Sequence, residues 1–353
     1  MLPSLTVLHI SAGSLHTYLS NHPRAFFALS RFHSIRELHL YDTTFPSFGA
    51  LRNTLLFLPN LTNLNLVGEL SWPAPSFELS PLLAHRVSGA RRPKLAAISM
   101  LWPCNTPEEA RRARQFLVWL NTTSTPLSLR EITLGILSNV SLIGPSILPL
   151  CRFVERITIF HHGDRYRELE DYKPILSQLS NLMKFEVSCF YQTREGSSAI
   201  PLLILSMLHF LPAPGKLLAL TVHFHVSRLS REVETTTFDW ISALDTNFER
   251  ELFRGLTEVA ISVSITLLDD QTLYPFTSTE QIADFIKSKL PKLVTNRVLV
   301  QAQVTVLRVS TQFEALLPSQ SASEEASQPT GSIEDVMSIL HDGIRPGRGS
   351  YII

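Results

Sequence analysis

Histidines are the residues of this sequence whose spacing first suggests chemistry. His9 and His39 stand at equivalent places in two similar strand-like segments, and His161 and His162 form an adjacent pair. Imidazole binds zinc and transfers protons near neutral pH, but a zinc site needs three or four convergent ligands. Since no cysteine or further histidine stands at ligand spacing beside either group, we predict no metal site and no cofactor.

Sequence motifs of known enzyme classes are absent. The chain contains no nucleophile elbow G-x-S-x-G, no P-loop and no G-x-G-x-x-G after a strand. Lys184 and Glu186 alternate onto one face of a predicted strand, but a general acid or base needs a closed site. We therefore predict that the protein is not an enzyme. An enzyme with a site in the insertion at residues 262–303 stays open as an alternative.

Two short basic patches, at residues 91–94 and 111–114, could contact nucleic-acid phosphates. The first falls in a predicted loop and the second on the polar side of a predicted helix. The chain carries 31 Lys+Arg and 31 Asp+Glu, so its formal net charge is zero. This balance argues against a basic nucleic-acid binder, and we expect both patches to be solvated surface.

A repeated apolar pattern must position the polar residues. Apolar residues at the first, fourth and sixth positions of a six-residue segment recur along the chain, and each segment alternates near its end as a half-buried strand does. The copies begin at Leu5, Ile35, Leu61, Leu95, Leu129, Val154, Leu182, Leu217, Leu256 and Val304.

Helix-like segments lie between these copies, at residues 51–58, 107–120, 172–179, 237–244 and 279–290. The second has clear start signals: Thr106 can cap it, Pro107 suits its first turn, and Glu108 and Glu109 face the positive end of the helix dipole. A strand and a helix in about 25 to 40 residues cannot bury their own apolar faces, so the units must stack. The pattern predicts an α/β fold.

The segments LTNLNL at 61–66 and IRELHL at 35–40 resemble the strand signature of leucine-rich repeats, and the resemblance covers residues 2–310. The variable spacing and proline-rich loops are most similar to the repeat region of fungal, basidiomycete-type F-box proteins. The resemblance implies an irregular leucine-rich-repeat solenoid, a curved parallel sheet of about ten strands with helices on the convex side. One departure is that Gly13, Thr43, Glu69 and Pro103 stand where many such repeats carry Asn.

From this resemblance we expect a protein-recognition module, the substrate-binding repeat region of an F-box-type ubiquitin-ligase adaptor in the cytoplasm or nucleus. A stand-alone repeat scaffold without a ubiquitin role remains the alternative. The F-box itself is not visible: residues 2–6 match the repeat loop at residues 58–62, so the chain opens inside a repeat. Ubiquitin-ligase subunits would bind through that missing N-terminal module, and a protein substrate would bind the concave face.

In a leucine-rich repeat, the residues between and beside the strand leucines point to the concave face. By that alignment the central column is His9, His39, Asn65, Ser99, Thr133, Thr158, Glu186, Thr221, Ala260 and Arg308. Tyr, Arg and exposed aromatic residues are enriched at binding hot spots. The predicted partner-binding residues are His9, Glu37, His39, Tyr41, Asn63, Asn65, Glu131, Arg156, Phe160, Lys184, Glu186, His223 and Arg308.

The composition changes near the end of the chain. We predict a repeat solenoid over residues 1–310, a disordered linker rich in Ser, Gln, Glu and Pro at 311–332, and a short helix and tail at 333–353. The helix either caps the solenoid or docks on a partner. No apolar stretch reaches the roughly 18 residues that a membrane span needs, so we expect no membrane partner.

Overall fold

A computed structural model of the chain describes residues 5–14, 31–73, 93–102, 106–135, 140–162, 169–192, 199–212, 216–227, 238–247, 253–268 and 276–309. The chain divides into two compact units, Met1–Val309 and Ser310–Ile353. All described residues belong to the first unit. The predicted linker and C-terminal helix therefore lie outside the described residues.

Ten parallel strands form one sheet whose spatial order follows the chain. They are β1 (Val7–Ser14), β2 (Glu37–Thr44), β3 (Asn63–Val67), β4 (Ala97–Leu101), β5 (Glu131–Leu134), β6 (Arg156–His162), β7 (Lys184–Gln192), β8 (Ala219–Ser227), β9 (Glu258–Leu268) and β10 (Leu299–Val309). Each of the first nine begins two residues after the start of its predicted copy. The prediction of an α/β fold with about ten parallel strands is confirmed.

The tenth copy was placed wrongly. In the structure β10 pairs with β9 so that Gln301 lies opposite Ala260, whereas Arg308 lies opposite Leu267. The prediction had put Arg308 opposite Ala260, seven residues away. The error has a physical cause: the copy that aligns with the other nine begins at Arg297, which is charged and exposed, whereas Val304, Leu307 and Val309 satisfy the apolar pattern seven residues later.

Within the described residues the connections contain nine helices. They are α1 (Phe48–Leu56), α2 (Pro107–Asn121), α3 (Thr125–Ser128), α4 (Val140–Cys151), α5 (Leu169–Leu176), α6 (Ala199–Phe210), α7 (Asp239–Asn247), α8 (Thr279–Ser288) and α9 (Pro291–Thr295). The five predicted helices are present, with shifted ends. The start of α2 is as predicted, since Thr106 Oγ1 accepts from the Glu109 N–H at 3.2 Å and Glu109 Oε2 accepts from the Thr106 N–H at 2.8 Å.

One face of the sheet is apolar and the other is polar. In β2, Leu38 and Leu40 are fully buried, whereas Glu37, His39 and Tyr41 between them are only partly buried. Consecutive parallel strands joined by right-handed crossovers keep their connections on one side of a sheet. Accordingly the helices form a layer in which α2, α4, α5, α6 and α7 contact one another in chain order. None of the described helices is both long and apolar enough to cross a membrane.

Neighbouring units are joined by the same backbone hydrogen bond at eight successive places. The N–H of the second residue in one copy donates to the carbonyl of the second residue in the preceding copy, as Arg36 does to Thr6 at 2.8 Å. The donors are Arg36, Thr62, Ala96, Arg130, Glu155, Met183, Leu218 and Thr257. Units of different length and sequence therefore stack in one geometry.

Side chains at the position just before four of the copies also bond to the preceding unit. Ser34 Oγ donates to the Leu5 carbonyl at 2.8 Å, and Ser128 Oγ donates to the Leu95 carbonyl at 2.7 Å. Asparagine at the same position makes a different recurring bond: Asn60 donates to the carbonyl of residue 33 at 2.6 Å and Asn181 to that of residue 152 at 3.0 Å. These bonds satisfy backbone carbonyls where one unit meets the next.

A glycine after β3 occupies a backbone conformation that other residues adopt only with strain. Gly68 has φ +69°, and a Cβ there would overlap the Asp42 carboxylate, whose Oδ1 accepts from the Glu69 N–H at 2.7 Å. We expect Gly68→Ala to lower the free energy of unfolding by about 2 kcal/mol. Urea denaturation measures the change. The matched control is Gly49→Ala in helix α1, where the new Cβ would meet Ser47 Oγ at an ordinary contact distance of 3.5 Å, and this change should be neutral or stabilising. Equal stability of both variants would contradict the strain at Gly68.

Candidate interaction face

The partly exposed side of the sheet, here called the polar face, carries three rows of side chains in register. The central row contains nine of the ten predicted residues, from His9 to Ala260, and Gln301 completes it. One flanking row includes Glu37, Asn63, Glu131, Arg156 and Lys184. The other flanking row includes Tyr41 of β2, Phe160 of β6 and His223 of β8. Ser188 of β7 lies between Phe160 and His223.

Aromatic rings stack at the β1–β2 end of the polar face. The His9 and His39 rings are 4.3 Å apart at 19°, as expected for neighbours on successive strands. Tyr41 lies nearly parallel to both, with centroid distances of 6.0 and 6.1 Å. Offset stacking of this kind holds rings in a fixed orientation. The stack is therefore an ordered feature of the surface.

Polar neighbours surround the His39 ring. Glu37 Oε2 is 3.6 Å from His39 Nε2, and the Asn65 amide is 3.1 Å from His39 Nδ1. The Asn63 amide in turn lies 3.4 Å from Glu37 Oε1. In the part of the chain that the structure describes, no three His, Cys, Asp or Glu side chains come together as a metal site would require. The cluster presents hydrogen-bonding groups and ring edges.

Opposite charges face each other across strands in the middle of the polar face. Arg156 lies opposite Glu131 and forms an ion pair with it. His223 Nε2 is 3.2 Å from Glu186 Oε1, and Lys184 is exposed beside Arg156 in the same row. Exposed pairs of this kind stabilise a fold by only about 0 to 1 kcal/mol each. At an interface, paired charges also determine which charges of a partner are tolerated.

Beyond β8 the polar face has few charges. Ala260, Ser262 and Ser264 of β9 lie beside Gln301, Gln303 and Thr305 of β10. Glu258 is the charged group of this region, and Gln301 donates to it at 3.3 Å. The sequence prediction missed Gln301 because of the wrong β10 alignment, and it missed the ion pair of Arg130 with Glu155 at 3.3 Å. Gln301 follows from the register once β10 is aligned with β9, whereas the pairing of Arg130 with Glu155 depends on side-chain geometry.

Two groups that the sequence marked as candidates, Arg112 and His161, contact other elements of the fold. Within the 111–114 patch on α2, the partly buried Arg112 donates from Nε to the Trp72 carbonyl at 2.9 Å and pairs with Glu108. His161 is buried on the apolar side of β6, opposite Cys189. Residues 91 and 92 of the other basic patch lie outside the described residues. Arg112 and His161 therefore contribute to packing between elements.

Burial makes two cysteine thiols unreactive. Cys151 and Cys189 are buried free cysteines, and desolvation raises the pKa of each to about 12. Since the thiolate is the reactive form, we expect neither to be alkylated by iodoacetamide at pH 8 in the native protein. Both should be alkylated in urea, and peptide mass spectrometry distinguishes the sites. Rapid native alkylation at either position would contradict this burial.

The pKa of one histidine on the polar face, His225, is shifted. Burial lowers the pKa of His225, which lies 3.4 Å from Thr266 Oγ1 on the neighbouring strand. The neutral ring is therefore favoured in the folded protein, and stability falls as the pH drops below the ordinary histidine pKa. His225 adds no positive charge to the surface near neutral pH.

Comparison of the sequence with protein-family models gives no match, and no curated protein matches it significantly. What the protein does is therefore inferred from the sheet and its polar face.

Proposed function

We propose that the chain is an irregular leucine-rich-repeat solenoid that recognises another protein on its polar face. The observation that carries this proposal is the equivalence of the units: eight identical inter-unit hydrogen bonds and one unbroken register across ten strands. Repeat proteins of this kind bury a continuous core by stacking and present an extended surface to partners. The central and flanking rows of the polar face form that surface.

The degenerate repeats fit this proposal at the position where many leucine-rich repeats carry Asn. Thr43 stands there in the second unit, is fully buried, and donates from its hydroxyl to the Tyr41 carbonyl at 2.9 Å. A short hydroxyl thus satisfies a backbone carbonyl at the end of the strand. This substitution supports an irregular member of the repeat class, in which local hydrogen bonds replace an asparagine ladder.

The residue types on the polar face favour a protein partner. His9, His39 and Tyr41 form an ordered stack of rings, and Tyr41 and Arg156 are of residue types that are enriched at hot spots. An extended ten-stranded surface suits a large partner, whereas small molecules bind in concave pockets that enclose them. By resemblance to F-box proteins, we propose that this partner is the substrate of a ubiquitin-ligase adaptor.

A matched pair of triple variants tests the recognition surface. In the first, His39→Ala, Tyr41→Ala and Arg156→Ala remove side chains of the polar face. In the second, Arg111→Ala, Arg114→Ala and Lys287→Ala remove exposed cations from the helix layer. Hot-spot truncations cost about 1 kcal/mol or more each, so quantitative pull-down should recover a specific partner at least about tenfold less with the first variant alone. Equal recovery by both folded variants would contradict recognition on the polar face.

The ubiquitin link has a separate measurement. If the protein is part of a ubiquitin-ligase adaptor, the product of the complete gene co-purifies with ligase subunits, and both triple variants retain them. Ligase subunits that never co-purify would favour the stand-alone scaffold. A cytoplasmic or nuclear location belongs to this proposal and agrees with the free thiols of Cys151 and Cys189.

A further inference from the structure

Strand β10 is the last strand of the sheet, and its outer side has no strand beside it in the described part of the chain. It runs for 11 residues, Leu299–Val309, and pairs with β9. Leu299 donates its N–H to the Thr257 carbonyl on the β9 side. Because N–H and C=O alternate sides along a strand, the even-numbered residues from 300 to 308 direct theirs to the outer side. This outer side is called the free edge below.

The free edge lacks the devices that usually block edge pairing. Natural edge strands are short, or carry prolines or several charges. The sequence of β10 is LVQAQVTVLRV, which has no proline and a single charge, at Arg308 near its end. A long edge of this composition is a template for another strand.

The side chains of β10 are also less covered than those of β9. Val300, Ala302, Val304 and Val306 face the helix layer but are only partly buried, whereas their four partners on β9 are fully buried. On the polar face, Leu299 is 56% exposed and Leu307 is 39% exposed. Both faces of the strand thus leave apolar surface in contact with water.

The order of side chains along β10 is symmetric about Gln303. If two copies of β10 pair antiparallel around this residue, Leu299 lies opposite Leu307 of the other copy, and Gln301 lies opposite Thr305. On the other face Val300 meets Val306, and Ala302 meets Val304. Apolar residues face apolar residues and no two like charges are opposed. A random edge strand has no reason to match itself in this way.

The same register also satisfies the backbone. In an antiparallel pair, residues that exchange two hydrogen bonds alternate with residues that exchange none. The even-numbered residues direct their N–H and C=O groups to the free edge. In this register, each even-numbered residue from 300 to 306 lies opposite an even-numbered residue of the other copy. The four pairs would exchange about eight hydrogen bonds, close to the roughly ten of a typical protein interface.

We propose that the free edge of β10 binds a second copy of this chain, through antiparallel β10–β10 pairing centred on Gln303. The pairing joins two ten-stranded sheets into one and forms a closed, two-fold symmetric dimer. The proposal concerns the edge of the sheet and does not depend on the role of the polar face. A monomeric protein, or an edge occupied by another part of the chain or by a different protein, would be incompatible with it.

Charge variants test the proposed register. In the double variant Gln301→Lys and Thr305→Lys, residue 301 of each copy faces residue 305 of the other, so two lysine–lysine pairs form across the two-fold axis. The double variant Gln301→Glu and Thr305→Glu forms two carboxylate–carboxylate pairs at the same places. Light scattering coupled to gel filtration of the full chain should give a dimer for the wild type and a monomer for each variant alone. A mixture of the two variants should restore the dimer. A monomeric wild type, or variants that remain dimeric alone, would overturn the proposal.

A disulfide experiment tests the centre of the pairing. In a Cys104→Ser background, Gln303→Cys should oxidise to a covalent dimer, because non-hydrogen-bonded pairs hold their Cα atoms about 4.5 Å apart. The matched control is Gln301→Cys, at a position that is also exposed. Its two copies would be separated by about 13 Å, too far for a disulfide. Equal cross-linking at both positions, or at neither, would contradict the register.

Discussion

Replacing Trp72 by alanine is expected to lower the free energy of unfolding by about 4 kcal/mol. Trp72 is 1% exposed and lies where three units meet. Its ring contacts Phe48 of helix α1 at a centroid distance of 5.4 Å and Trp102, just after β4, at 5.6 Å. Alanine would leave a large cavity among aromatic rings that cannot collapse without moving helix α1.

A hydrogen bond adds a polar requirement to this site. Trp72 Nε1 donates to Gln115 Oε1 of helix α2 at 2.8 Å, and Gln115 is itself buried. Trp72→Phe keeps most of the ring but leaves the Gln115 oxygen buried without a donor, which costs about 1 to 3 kcal/mol. Adding Gln115→Leu to Trp72→Phe should recover part of that loss.

Urea denaturation of the three variants separates the two contributions, with Leu127→Ala as the control. Leu127 is 67% exposed, so its truncation should change the free energy of unfolding by less than about 0.5 kcal/mol. The cavity interpretation would be wrong if Trp72→Ala proved no more destabilising than Trp72→Phe. The polar interpretation would be wrong if Gln115→Leu lowered the stability of Trp72→Phe further.

The strands of this protein are predictable because the apolar positions of the repeated pattern are the positions that the fold buries. In the second to ninth copies, position one is buried before the strand and positions four and six are buried within it, as Leu61, Leu64 and Leu66 show. Two helices lack such a pattern. Helix α4 contains Pro145 and Pro149, and helix α6 is apolar on nearly every side, so neither shows the period of 3.6 that identifies an amphipathic helix.

The polar face could be predicted as rows but not as contacts. A fixed register follows from equivalent copies, so His9 and His39 were expected side by side and are. Which charges pair depends on rotamers and on the side chains that lie diagonally across from them on the next strand. Glu186 pairs with His223 diagonally, although Thr221 is its register partner. Such choices are made by side-chain geometry, which a spacing pattern does not contain.

A helix cap supplied by a residue far away in the sequence cannot be predicted from a local sequence pattern. Asp245 supplies such a cap. Its carboxylate, 5% exposed, lies in helix α7 and accepts from the N–H groups of Lys292 and Leu293 at 3.2 Å each. These are first-turn donors of helix α9, whose N-cap residue Leu290 supplies no side-chain cap. A residue 47 positions earlier in the chain therefore caps this helix.

We expect Asp245→Ala to lower the free energy of unfolding by about 3 kcal/mol, because it removes the acceptor of the buried Leu293 N–H and of the partly buried Lys292 N–H, and it removes a charge at a helix N-terminus. Asp245→Asn keeps one acceptor oxygen and should cost about half as much. Urea denaturation gives the free energies, and hydrogen exchange locates the effect. The amides of Lys292 and Leu293 should lose protection before those of β9, since α9 would detach first.

The control for this prediction is Asp284→Ala on helix α8. Asp284 is exposed and lies 3.8 Å from Lys287 in a surface ion pair, so its removal should cost less than about 0.5 kcal/mol. If Asp245→Ala were as stable as this control, the two hydrogen bonds would not hold α9 in place. Because α9 leads directly into β10, a confirmed loss of α9 should also loosen the last strand. The proposed dimer would then weaken together with the cap.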